Sequence, residues 1–387
     1  MKQFLQLLER GFRRFAVYPV FRLLFRNQKL DSAIDLSRVR KLLILRHDRI
    51  GDMIVTTPIL RNLKRLRPDL RIGVFASPVN VDIIRHNPFV DAIYVLHSNV
   101  FRLVREIRRA RGERYDVVMS FVFNRTTTVA LLARLAGPDA LRIGHAEEKY
   151  QFYFNRLVKL PRFSVHMVES LAVYLKEVFA IELEKKDLWF EISVDETSKR
   201  SVDYFLEQHR LRRRSDPSGD LQAYLVLNLS ATDDDRRISV AQARALAGHL
   251  SKKQNVRTVV IYAPGEREMG HAVQHEDEFK SCLVFPQQGT ASLLELASLI
   301  EGAQCALTPD TAIVHFASAA QTPVLGFFTT IQGMEEWLPF QVTYDLLTAP
   351  AGQPAPLIPI EQMIRKTDEF LEKLIPQPTI VPSSPPL

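Results

Sequence analysis

The strongest constraint on this chain is a rhythm. Near-continuous apolar runs of strand length alternate with segments of helical periodicity, first over 41–144 and again over 223–328. In the first series, strands are expected at 41–46, 71–76, 91–96, 115–121 and 141–144, with helices at 58–67, 79–86, 99–111 and 126–136. In the second, strands are expected at 223–229, 256–262, 282–285, 304–308 and 323–328, with helices at 239–252, 266–274, 291–301 and 311–320. Strands that are apolar throughout belong to a parallel sheet covered by helices on both faces. The class is therefore α/β, with two doubly wound, Rossmann-like domains and a ligand cleft at the carboxyl ends of the strands.

A length of 387 residues is enough for two domains, each with its own core. The charged stretch "LEQHRLRRRSDPSGD" has Pro and Gly but no period, so 206–221 is expected to be a linker between domains at 41–205 and 222–375. A last amphipathic helix is expected at 358–375, and "PQPTIVPSSPPL" (376–387) is too rich in proline to fold. The two cysteines, Cys282 and Cys305, lie in apolar segments and read as buried reduced thiols, as in a reducing compartment.

Residues 1–40 form a separate element. Within 1–30, seven Lys and Arg residues face Glu9 alone, interleaved with Phe4, Phe12, Phe15, Phe21 and Phe25. Charges interrupt every apolar run, so nothing approaches the roughly 20 apolar residues of a spanning helix, and no signal-peptide pattern is present. The expectation is a basic amphipathic segment lying on an anionic membrane surface. The alternatives are a helix packed on the protein itself and a nucleic-acid contact. Almost all of the net charge of +7 sits in this arm and no recognition motif follows, so no nucleic-acid partner is expected.

Loops after strands hold the chemistry of such folds. "HDRIGDMIVTTP" (47–58) carries more charge than a connector needs. Gly51 would permit a tight turn, and Asp52 falls near a helix start, where it is either an N-cap or a functional carboxylate. Thr56, Thr57 and Pro58 already supply helix-start chemistry, which favours function. Asp48 and Arg49 are expected to pair or to orient the loop. In "VLNLSATDDDRRISVAQARAL" (226–246), Ser230, Thr232, Arg236 and Arg237 precede a helix opening near Ser239 and form a candidate anion cradle. The acids 233–235 read either as metal ligands or, the favoured account, as partners of the neighbouring arginines. In "ALTPDTAIVHFASAAQTPVLGFF" (306–328), Asp310, Thr311 and His315 gather at one helix mouth, able to reach a phosphate or sugar. The plain alternative is a capping Asp310 and a half-buried surface His315. P-loop, GxGxxG, HExxH, GxSxG and CxxC motifs are absent from the sequence.

The stretch "KLLILRHDRIGDMIVTTPILRNLKRLRPDLRIGVFASP…NPFVDAIYVL", with "ARLAGPDALRIGH" and "LTPDTAIVHFASAAQTPVLGFF", resembles glycosyltransferase family 9, the ADP-heptose:lipopolysaccharide heptosyltransferases. The resemblance covers about residues 41–330 and implies a GT-B fold, with an acceptor-side domain followed by a nucleotide-sugar donor domain. It implies an inverting transfer of heptose from ADP-heptose to a lipid A-linked core acceptor. Asp52, after Gly51, matches the catalytic base. Thr232 and Arg236 match groups that hold the donor diphosphate, Asp310, Thr311 and His315 match the donor motif, and Glu266 matches a ribose-binding carboxylate. No cofactor or metal is implied, and the place of action is the cytoplasmic face of the inner membrane. The chain departs from the family at Arg236 (usually Lys), Ile238 (often Trp) and Ala312 (usually Gly). Those departures leave two alternatives open: a different nucleotide sugar, or an inactive membrane-associated scaffold.

Overall fold

The computed structural model describes residues 25, 27–123, 126–145, 148–216, 221–252, 256–275, 282–329, 335–350 and 353–374. They fall into two compact units: the described residues of Met1–Asp195 and Gly333–Phe340, and those of Glu196–Gln332 and Gln341–Leu387.

The first unit holds β1 (Lys41–Leu45), α1 (Ile50–Leu66), β2 (Arg71–Ala76), β3 (Ala92–Val95), α2 (Val100–Glu113), β4 (Val117–Ser120), α3 (Thr126–Ala136), β5 (Leu141–Gly144), β6 (Arg156–Leu157) and α4 (Met167–Phe179). Its sheet order is β3-β2-β1-β4-β5-β6, with every pairing parallel. Leu43, Leu45, Phe75, Val118, Val129 and Ala133 pack one face as buried core.

The second unit holds α5 (Glu196–Gln208), β7 (Ala223–Asn228), α6 (Val240–Ser251), β8 (Val256–Ile261), α7 (Arg267–His275), β9 (Cys282–Phe285), α8 (Leu293–Gly302), β10 (Ala306–Pro309), α9 (Ala312–Ala320), β11 (Val324–Phe328), β12 (Tyr344–Thr348) and α10 (Ile360–Leu374). The order β12-β11-β10-β7-β8-β9 repeats the first sheet's order read from the other edge, again all parallel. Leu225, Leu227, Leu246, Val260, Leu307, Leu325, Met363 and Phe370 form its core. In each sheet the chain reverses direction between the first and fourth strands of the unit, the point where an α/β sheet opens a crevice.

Four expectations need correction. The helix expected at 58–67 starts at Ile50, so Gly51 is helical rather than a turn residue and Thr56–Pro58 do not open it. Pro58 is tolerated in mid-helix because the carbonyl its missing N–H would have served, that of Ile54, accepts instead from Thr57 Oγ1 at 2.8 Å. The helix expected at 79–86 is only a 3-10 turn, Val81–Ile84. Asn80 ties the chain locally, accepting from Ser77 N at 2.9 Å, and Asn87-Pro88 stops it. The expected linker lies within the second unit: α5 runs to Gln208, Leu211 bridges Gln222, and Arg213 pairs with Asp203 at 2.7 Å. Finally, 335–340 belongs to the first unit, where the Glu336 carboxylate pairs with Arg162.

Residues 1–24 and 26 of the basic arm, and the tail 376–387, lie outside the described residues. The end of the arm packs on the first unit. Phe25 is buried edge-on to Tyr153 at 5.1 Å, and Leu30 N donates to Asn155 O. Among the described residues no helix is long and apolar enough to cross a membrane. Both cysteines are buried and outside any disulfide, as expected.

Candidate functional site

In the first unit the site is built on residues 46–52, directly after β1. Arg46 follows β1 directly and is fully buried. Its Nε donates to the Asp52 carbonyl at 2.9 Å, its Nη1 reaches Asp48 Oδ2 at 3.2 Å and also donates to the Phe121 carbonyl after β4, and its Nη2 lies 2.9 Å from Asp52 Oδ1. One guanidinium therefore ties the loops after β1 and β4 across the switch point and grips Asp52 by both carboxylate and backbone. Asn80 secures the loop from β2, donating to Arg46 O at 3.1 Å and Arg49 O at 3.3 Å.

Asp52 is 9% exposed and lies in the first turn of α1, whose N-cap is Arg49. It is therefore not the cap. Burial lifts its carboxyl to about 6, opposed by the Arg46 charge and reinforced by Asp48. A carboxyl group so placed ionises near neutrality, the range in which a general base works. Asp48 pairs with Arg46 rather than Arg49. The ring of Phe123 lies 5.9 Å from the Arg46 guanidinium and 5.0 Å from that of Arg162, so two cations border the same aromatic surface.

In the second unit the corresponding switch point lies between β7 and β10. Asn228, at the end of β7, donates to Thr308 Oγ1 at 3.0 Å and Thr311 Oγ1 at 3.1 Å, holding the two loops together. Thr311, not Asp310, caps α9, accepting from Ile313 N. Asp310 instead accepts from Arg236 at 2.8 Å. Arg237 contacts Glu266 at 2.6 Å and Asp234 at 3.0 Å, and Ser230 Oγ donates to the same Glu266. α6 opens at Ser239, as expected, and Ser239 and Gln242 form a capping box there.

Of the second-unit residues singled out in the sequence, Thr311 and Glu266 join one hydrogen-bonded chain through Asn228, Ser230 and Arg237, while Arg236 and Asp310 form a separate pair beside it. Thr232 is exposed on the loop, and His315 is buried one turn into α9 rather than half-buried at the surface. Both arginines of the cradle are paired with carboxylates, Arg236 with Asp310 and Arg237 with Glu266 and Asp234. Asp233 also approaches Arg236, at 3.6 Å, in line with the favoured account of the acidic run. Among the described residues no group of three or more His, Cys, Asp or Glu is arranged to hold a metal ion.

Sequence reasoning missed Arg46, Asn80, Arg162 and Glu336. Arg46 left a trace, a cation closing an apolar strand; the other three meet the site only through tertiary contacts.

Residues 100–355 match the family described as glycosyltransferase family 9 (heptosyltransferase). Lipopolysaccharide heptosyltransferase 3 of Escherichia coli is 24% identical over 294 residues, 72% of this chain and 80% of that protein. A glycosyl transferase family 9 structure from Veillonella parvula superposes with a TM-score of 0.74 at 16% identity, covering 89% of this chain and 100% of that one. The E. coli ADP-heptose lipopolysaccharide heptosyltransferase II structure gives 0.68 at 18% identity, covering 86% and 99%. The fold is theirs, and the matched residues take in the second unit's switch-point loops. The chain belongs to glycosyltransferase family 9.

Proposed function

We propose that this glycosyltransferase moves a heptosyl group from ADP-heptose to a lipid A-linked lipopolysaccharide core, with inversion and with Asp52 as general base. The observation that carries the proposal is the Arg46–Asp52 arrangement: a buried carboxylate held at a switch point with its ionisation near neutrality. Similarity to the two E. coli proteins, a lipopolysaccharide heptosyltransferase and an ADP-heptose heptosyltransferase, supports the choice of donor and acceptor.

In this reading the chemistry is one displacement. The acceptor hydroxyl attacks the anomeric carbon, Asp52 takes its proton, and the nucleoside diphosphate leaves from the opposite face. Positioned general-base catalysis contributes about 10²–10⁴ in rate. Arg46 keeps the carboxylate oriented and ionised. In the second unit, Arg236 exchanges Asp310 for the departing diphosphate, with Thr232 as a hydroxyl donor beside it. Glu266 and Asp310 accept hydrogen bonds from ribose and sugar hydroxyls, and Thr311 and His315 complete the donor surroundings in the second unit. An acidic cluster with two exchangeable arginines suits a sugar nucleotide, which presents hydroxyls and phosphates together.

Calorimetry with ADP, UDP, GDP and CMP tests the donor. Tighter binding of ADP than of the other three is expected. Preference for another nucleotide would replace the donor, and no binding at millimolar concentration would leave only a scaffold.

A further inference from the structure

Helix α2 contradicts the usual rule for a surface helix. It is firmly started, the Asn99 side chain accepting from Arg102 N at 3.1 Å. Its inner face is ordinary, with Ala110 and Ile107 in the first unit's core. Its outer face is not. Val100 is 65% exposed, Phe101 87% and Val104 38%, so three apolar side chains occupy the positions where a solvated helix carries polar ones. Between Asn99 and Arg114 the chain has six arginines against two glutamates, Glu106 and Glu113. Glu106 is buried and takes Arg109, with Arg105 at 3.4 Å, while Glu113 pairs with Lys41 on β1. Phe101, Val104, Arg105 and Arg108 fall at i, i+3, i+4 and i+7, on one side of the helix, and line a single open depression with Val100 and Arg109.

We propose that the amino-terminal half of α2 docks on an anionic phospholipid bilayer. Phe101 and Val104 enter the boundary between headgroups and acyl chains, and Arg102, Arg105 and Arg108 meet lipid phosphates. An apolar tip ringed by cations is complementary to that surface in two ways at once: buried apolar area and charge. Neither a nucleic-acid backbone nor an acidic peptide calls for a nearly fully exposed phenylalanine at the centre of the arginines. The placement also fits an anchored acceptor. α2 begins after the carboxyl end of β3 and α1 after that of β1, so Phe101 and Asp52 belong to the same edge of one sheet, two strands or roughly 10 Å apart laterally. The contact takes no part in the transfer chemistry, so its failure leaves the transferase reading untouched.

The test is co-sedimentation of the full chain with vesicles of phosphatidylglycerol and phosphatidylethanolamine, against pure phosphatidylcholine. The triple variant Arg102→Gln, Arg105→Gln, Arg108→Gln should partition about a hundredfold more weakly onto the anionic vesicles, and Phe101→Ser about tenfold. All four side chains are exposed, so melting temperatures should not move, and turnover on a water-soluble acceptor fragment should be unchanged. An environment-sensitive dye on Val104→Cys should shift to the blue on anionic vesicles alone. Unchanged partitioning of both variants would overturn the proposal. So would a dye insensitive to vesicles, or binding of an RNA oligomer that competes while vesicles do not bind.

Discussion

The two units present the same sheet order and the same switch point, yet the chemistry at the two points is opposite in kind. After β1 only residues 46–49 separate strand from helix; after β7 the gap spans 229–239. The short loop forces its charges inward, where Arg46 is fully buried against a 9%-exposed Asp52. The long loop carries its charges on a 3-10 turn, Asp234–Arg236, and leaves the Arg236 side chain 37% exposed against Asp310. A buried pair is rigid and costly to disturb, whereas a half-exposed pair exchanges partners readily. Loop length, on one topology, thus separates a site suited to holding a proton acceptor from one suited to admitting and releasing an anionic ligand.

That contrast predicts a graded series. Asp52→Asn should lower turnover at least about a hundredfold while leaving ADP affinity in place, because it alters only the rigid site. Arg236→Gln should do the reverse, weakening ADP by about 10- to 100-fold, the worth of a charge-assisted hydrogen bond, with a smaller effect at saturating donor. Equal losses of ADP affinity in both variants would break the division of labour.

Arg46→Gln sharpens the comparison through pH. The Arg46 charge lowers the Asp52 pKa, so its removal should move the acid limb of kcat/KM upward by about one unit or more, with activity partly recovered at higher pH. A limb that stays in place would separate Arg46 from the titrating group.

The smallest expected effect is on stability. His166 caps α4, its Nδ1 accepting from Val168 N at 3.2 Å while its Nε2 meets the Leu338 carbonyl at 3.1 Å, an arrangement that requires the neutral ring. Burial depresses it from 6.5 to about 4. The unfolded chain therefore binds the proton first, and stability is lost as pH falls from 6.5 toward 4, by up to about 3 kcal/mol. His166→Asn should flatten that part of the profile of melting temperature against pH.

Much of this was legible beforehand for physical reasons. Strands such as 71–76 and 282–285 were bounded to the residue because apolar runs flanked by polar breaks leave no other register. The pairing of the acidic run with its arginines was also readable, since local spacing brings Asp233 to Arg236 and Asp234 to Arg237. What was missed is non-local. The grip of Arg46 depends on the Phe121 carbonyl, 75 residues away in sequence. The return of 335–340 to the first unit, through Glu336 and Leu338, leaves no periodic trace in the chain.

The most direct measurement is to incubate the purified protein with ADP-heptose and a lipid A-linked core acceptor and follow both products. The account predicts that the acceptor gains one heptosyl unit for each ADP released. Release of neither product, with the folded protein and both substrates present, would contradict it.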